Sequence, residues 1–147
     1  MVIPMKKIVI RGGKPLYGDI NVSGMKNAAL PIIFASILTK DKCVIENLPE
    51  VSDVALSLRI LRSMGASVRM INRTTVEIDT THLVGGSSPY QLVSKLRGST
   101  YLLGAELGRF GEAKVGFSGG CDFGTRPIDQ HRSEEHTSEL QSPVSIA

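Results

Sequence analysis

The chain contains no tryptophan, and only four phenylalanines and three tyrosines. A surface that binds single-stranded nucleic acid by stacking bases on aromatic rings has little to be built from here. The core must instead be aliphatic, drawn from Ile, Leu, Val, Met and Ala. Cysteine is equally scarce. Cys43 and Cys121 stand alone, with no CxxC pair and no histidine at ligand spacing, which argues against a disulfide framework or a zinc site. Cys43, in the strand-like "CVIENL", is expected to act as a small buried hydrophobe. Long apolar runs are also missing. Nothing approaches the roughly 20 residues that cross a bilayer. The opening "MVIPMKKIVIRGG" offers only a three-residue apolar run before Arg11, too short for the core of a signal peptide. These absences lead us to expect a cytoplasmic location and no membrane contact.

What is present is an ordinary globular composition. A length of 147 residues, 41% of them hydrophobic and 21% charged, suffices for about one domain with a real core. The net charge of +3 is unevenly spread. Residues 132–147 hold one Arg and three Glu, a net of −2, so the first 131 residues hold 16 Lys+Arg against 11 Asp+Glu, a net of +5. The basic residues are dispersed rather than gathered in a stripe. That pattern suits small phosphorylated ligands better than nucleic acid.

Periodicity divides the chain into alternating elements. "KKIVI" and "DINVSG" read as short strands, the second with Ile20 and Val22 alternating against polar neighbours. "MKNAALPIIFASILT" is apolar nearly all round and predicts a buried helix, with Pro31 within its first turns. "KCVIENLP" predicts a strand. "VSDVALSLRILRSMG" predicts an amphipathic helix capped by Ser52 or Asp53 and closed by Gly65. "ASVRMI" and "TTVEID" predict a hairpin around "NRT". "SPYQLVSKLRGSTYLLGAELGRFG" predicts one long helix, "EAKVGFSGG" a strand, and "RPIDQH" the first turn of another helix. Residues 18–79 then form one βαβαββ unit and residues 80–131 most of a second, an internal repeat that points to a layered α/β fold with helices packed inside.

Three places carry residues suited to chemistry. In "SGMKNAALP", Lys26 and Asn27 open a helix just after a strand, where free N–H groups and the positive end of the helix dipole favour an anion. A solvated lysine and a capping asparagine would explain the same letters. In "SKLRGS", Arg97 stands among Leu92, Val93, Leu96 and Leu102. It either meets an anion there, or lays its stem over the apolar surface with its head in water, or pairs with Glu106. In "GGCDFGTRPID", Cys121 lies in a glycine-rich loop beside Arg126 and a helix start. This setting lowers a thiol pKa and suits a nucleophile or general acid, although Asp122 acts in the opposite direction. No histidine or asparagine stands where a protease-like partner would, so acyl transfer is not expected.

The ordered set "GDINVSGMKNAALPII", "ENLPEVSDV", "LRSMGASV", "KLRGSTYLLG", "GRFGEAKV" and "GGCDFGTRPIDQH" resembles the UDP-N-acetylglucosamine 1-carboxyvinyltransferases, the enolpyruvyl transferases of bacterial cell-wall synthesis, through residues 6–131. The resemblance implies an inside-out α/β barrel of two domains, each built from three βαβαββ units and incomplete here. It implies transfer of the enolpyruvyl group of phosphoenolpyruvate to the 3′-hydroxyl of UDP-N-acetylglucosamine, with release of phosphate and with no metal or organic cofactor. By the same resemblance, Lys26 holds phosphoenolpyruvate with Asn27 beside it, and Arg97 contacts the substrates. Cys121 protonates the methylene carbon and is the target of fosfomycin. Arg126, Pro127, Ile128, Asp129 and Gln130 bind the nucleotide sugar and phosphate. The family's general base, an aspartate, and a further substrate arginine lie beyond the resembling segment.

After His131 the texture changes. "RSEEHTSELQS" has almost no apolar stripe and resembles the in-frame translation of a sequencing-library adapter, so residues 132–147 are expected to be a non-native tail. The related shikimate-pathway transferase would share the fold, but is not expected to carry the cysteine loop.

Overall fold

The computed structural model describes residues 8–85, 88–116 and 144–146. Its regular elements begin with α1 (Lys26–Ala35), followed by a 3₁₀ turn (Ser36–Thr39), β1 (Lys42–Ile45) and α2 (Ser52–Ser63). The hairpin strands β2 (Ser67–Met70) and β3 (Val76–Asp79) come next. Then follow the short α3 (Tyr90–Val93), a 3₁₀ turn (Arg97–Thr100), α4 (Tyr101–Phe110), β4 (Ala113–Val115) and β5 (Val144–Ile146).

The first sheet is antiparallel with order β1-β3-β2, and Ile78 of the central strand lies opposite both Cys43 and Val68. Val76 and Ile78 alternate inward and are fully buried. The helices pack against that face. Ile33 and Phe34 of α1, Ile60 and Leu61 of α2, and Leu102 of α4 are likewise fully buried, so the core is aliphatic with a single phenylalanine at its centre. Cys43 is only half-buried, with its sulfur 3.3 Å from Thr39 Oγ1.

The end of α2 follows directly from sequence. Gly65 adopts φ +100°, its N–H donates to the Arg62 carbonyl, and the Ala66 N–H donates to Leu61. This is the Schellman closure, in which a left-handed glycine lets the chain turn back over the last carbonyls. The helix start differs from expectation. Val51, not Ser52 or Asp53, is the capping residue, and no side chain caps it.

Four further expectations are corrected. First, the strands expected in "KKIVI" and "DINVSG" do not form among the described residues, and Ile8, Val9, Ile10, Ile20 and Val22 are exposed. An alternating segment becomes a strand only where an edge offers it hydrogen bonds, and no described strand pairs with these residues. Second, α1 is buried on one face, not all round, because Ile32 points outward, as does Leu38 in the 3₁₀ turn that follows. Third, Pro31 sits at the sixth position of α1, past the first turn, so residue 31 donates nothing to the Asn27 carbonyl.

Fourth, residues 88–111 are not one helix. The chain is extended at Leu96 (φ −123°, ψ 112°) between α3 and the 3₁₀ turn. The buried Ser99 hydroxyl donates to the carbonyls of Val93 and Leu96, giving these groups a partner that does not require a continuous helix. Gly98 lies so close to Leu30 of α1 that an added Cβ would stand 2.8 Å from its Cδ1.

β5, inside the segment expected to be a non-native tail, pairs in parallel with β4. Backbone pairing asks for an extended segment and for no particular side chain.

Candidate functional site

The first turn of α1 is an open set of donors. Met25 caps the helix with its carbonyl only, receiving the N–H groups of Ala28 and Ala29, so those of Lys26 and Asn27 have no helical partner. No acidic residue lies in that turn, and Asn27 is exposed. The turn therefore presents two N–H groups, the positive end of the helix and the Asn27 amide to solvent.

Lys26 is not left free. Its Nζ lies 2.8 Å from Asp53 Oδ2, with both side chains partly exposed. Asp53 belongs to the first turn of α2, where the dipole of that helix favours a carboxylate. Just before α1, the Gly24 N–H donates to Asn47 Oδ1 at 3.2 Å. Asn47 has φ +56°, and its carbonyl lies where a Cβ on residue 24 would have to go. Only glycine fits there.

Arg97 opens the 3₁₀ turn and is exposed. Its expected alternative partner, Glu106, is buried and engaged elsewhere. Ser88 Oγ donates to Glu106 Oε1 at 3.2 Å, and Oε2 has no partner among the described residues. Burial pushes the Glu106 carboxyl above the ordinary carboxylate range, against the opposing pull of hydrogen bonds from Ser88 and the Lys114 backbone. Arg97 thus has its guanidinium in solvent, and no ion pair holds it among the described residues. Gly98 rests on Leu30, one helical turn from Lys26 and Asn27, so Arg97 is carried on a turn packed against the helix that bears those two residues.

Cys121, Arg126, Pro127, Ile128, Asp129 and Gln130 lie outside the described residues. Asp53 and Asn47 were not anticipated as part of the site. Their signal was an acidic residue and an asparagine within the quoted "ENLPEVSDV", but the contacts depend on folding across 23 and 27 residues. Among the described residues no group of three or more His, Cys, Asp or Glu is gathered as metal ligands would be, and no helix is long and apolar enough to cross a membrane.

The family model for EPSP synthase (3-phosphoshikimate 1-carboxyvinyltransferase) matches residues 10–134. The chain is 46% identical over 128 residues to UDP-N-acetylglucosamine 1-carboxyvinyltransferase 2 of Clostridium acetobutylicum, covering 86% of this chain and 30% of the relative. It is 49% identical over 125 residues to the protein of the same name from Listeria monocytogenes serotype 4b, covering 85% and 29%. It is 42% identical over 127 residues to UDP-N-acetylglucosamine 1-carboxyvinyltransferase of Dichelobacter nodosus, covering 86% and 30%. The crystal structure of the enolpyruvyl transferase NikO from Streptomyces tendae superposes with a TM-score of 0.60 at 30% identity, covering 68% of this chain and 23% of that one. The chain thus spans about 30% of the length of the curated relatives it matches.

Proposed function

The chain belongs to the EPSP synthase family of carboxyvinyl transferases, and from that membership we propose that it contributes anion-binding residues to an enzyme of peptidoglycan synthesis. The enzyme moves the enolpyruvyl group of phosphoenolpyruvate to the 3′-hydroxyl of UDP-N-acetylglucosamine. The observation that carries the choice of acceptor is the 42–49% identity to three relatives that share one transferase name. The reaction belongs to the bacterial cytoplasm, and through cell-wall synthesis bears on cell shape and division.

The residue chemistry supports this reading. Phosphoenolpyruvate carries a phosphate and a carboxylate. The first turn of α1 offers a lysine ammonium, free N–H groups and the Asn27 amide to one of them. Arg97, on the turn packed against α1, offers a planar fork to the other. Proton delivery to the methylene carbon, the part proposed for Cys121, leaves positive charge on the adjacent carbon, which the sugar hydroxyl oxygen attacks as it loses its proton. Loss of a methyl proton and of phosphate then restores the double bond and completes the transfer. Fixed charges on the phosphate and carboxylate stabilise that path relative to water. Arg126, Pro127, Ile128, Asp129 and Gln130 are proposed to bind the nucleotide sugar. The base for the sugar hydroxyl lies outside this chain in our reading. Residues 132–147 are proposed to be a non-native tail, and codons unlike the adapter in the nucleotide record would overturn that.

The test is phosphate release by the product of the complete gene, with phosphoenolpyruvate and either UDP-N-acetylglucosamine or shikimate 3-phosphate. Turnover with the nucleotide sugar alone, abolished by fosfomycin, is expected. Turnover with shikimate 3-phosphate instead would overturn the assignment. The present chain by itself is expected to release no phosphate.

A further inference from the structure

We propose that the connection from β1 into α2, residues 46–53, is the positioning device for Lys26, with Asp53 holding its ammonium and Asn47 holding the backbone before it. The proposal rests on the reading of Lys26 as the anion-holding lysine.

A lysine at the first position of a helix has two handicaps. Its four-carbon stem costs about 1.5–2 kcal/mol to order. Its charge also sits at the positive end of its own helix, where α1 offers no acidic residue to offset it. Left alone, the ammonium would move into solvent. Asp53 answers both problems. Its Oδ2 lies 2.8 Å from Nζ, and its carboxylate stands where the field of α2 favours negative charge. Ser52 Oγ donates to its other oxygen at 3.4 Å, and Ser57 Oγ ties down its carbonyl at 2.9 Å. One ammonium hydrogen is used and two remain for an anion.

Asn47 does the same for the backbone. Its side-chain oxygen takes the Gly24 N–H, and its carbonyl closes the space beside Gly24. The connection is itself anchored, since Leu48 is buried and its N–H donates to the Thr74 carbonyl at 2.8 Å. The hairpin thus fixes Leu48, Asn47 fixes the entry to α1, and α2 fixes the lysine through Asp53. A partly exposed pair of this kind contributes at most about 1 kcal/mol to stability. Its principal effect is therefore on where the ammonium points.

The experiment measures acylation of individual lysines in this chain by peptide mass spectrometry, with Lys40, exposed in the same molecule, as reference. Asp53→Ala is expected to speed Lys26 labelling about two- to fivefold relative to Lys40. Asp53→Asn, whose amide oxygen still accepts a hydrogen bond, falls between. Phosphoenolpyruvate slows Lys26 labelling in the parent chain, and Asp53→Ala needs a several-fold higher concentration for the same protection. Should Asp53→Ala unfold the chain, every lysine will label faster, and Asp53→Asn then decides. Equal Lys26 rates in parent and folded variants would overturn the positioning role. Tighter protection in Asp53→Ala would overturn it too, by making Asp53 a competitor of the anion. Rates that differ without any protection by phosphoenolpyruvate would instead overturn the anion-binding reading of Lys26 on which the role depends.

Discussion

Arg109 sends three hydrogen bonds from the last turn of α4 into the first half of the chain. They reach the Ile37 carbonyl at 2.7 Å, the Thr80 hydroxyl at 3.0 Å and the Thr80 carbonyl at 2.7 Å, while its guanidinium lies over the Phe110 ring. Ile37 and Thr80 are fully buried, so truncation strips the Ile37 carbonyl of its Arg109 donor and leaves the Thr80 carbonyl with the Leu83 N–H alone. Arg109→Ala is expected to cost about 2–3 kcal/mol in urea denaturation. Glu106 makes the opposite case. Its carboxyl is raised by burial, so the folded state holds its proton more tightly than the unfolded state. Its contribution is greatest below the unfolded carboxyl pKa and is lost as pH rises through the higher folded value. Glu106→Gln should therefore gain about 1–3 kcal/mol over the parent at neutral pH and little below about pH 4, seen by comparing denaturation midpoints across pH. Lys26, Asn27 and Arg97 were legible as chemistry-bearing letters. Asp53 read only as a possible cap, because its bond to Lys26 forms between two helix starts that sequence separates.

At the level of elements, sequence was most informative where one face meets one core. α2 and β3 follow the expected periodicities, the β2–β3 hairpin forms where expected, and Gly65 closes α2 because only a residue tolerant of positive φ can sit there. Gly65→Ala should cost about 1–2 kcal/mol from the left-handed backbone alone, and its Cβ would press to 3.3 Å from the His82 carbonyl. Urea titration of that variant checks this. Residues 88–111 show where periodicity misleads. Their apolar pattern suits a helix throughout, yet the Ser99 hydroxyl and the close approach of Gly98 to Leu30 favour a break. That break puts Arg97 at the start of a turn, exposed, rather than inside an apolar helix.

At the scale of the whole molecule, Ile8, Val9, Ile10, Leu16, Tyr17, Ile20 and Val22 form an exposed apolar segment. Surface of this kind associates. The chain should therefore self-associate at micromolar concentration in light scattering, and replacing Ile20 and Val22 together by Ser should reduce the associated fraction. Unchanged association in that variant would locate the contact elsewhere. Sequence by itself determined the family, the aliphatic core, the βαββ order from β1 to β3 with its helix, and the residue types proposed to meet anions. Each of these depends on composition or on patterns local to a few residues. Tertiary structure alone decided that Lys26 is tethered by Asp53, that Gly24 is pinned by Asn47, that Arg97 escapes Glu106, and that the two early segments pair with no strand among the described residues. Those outcomes depend on which distant groups reach hydrogen-bonding distance, and periodicity carries no information about distance across the fold.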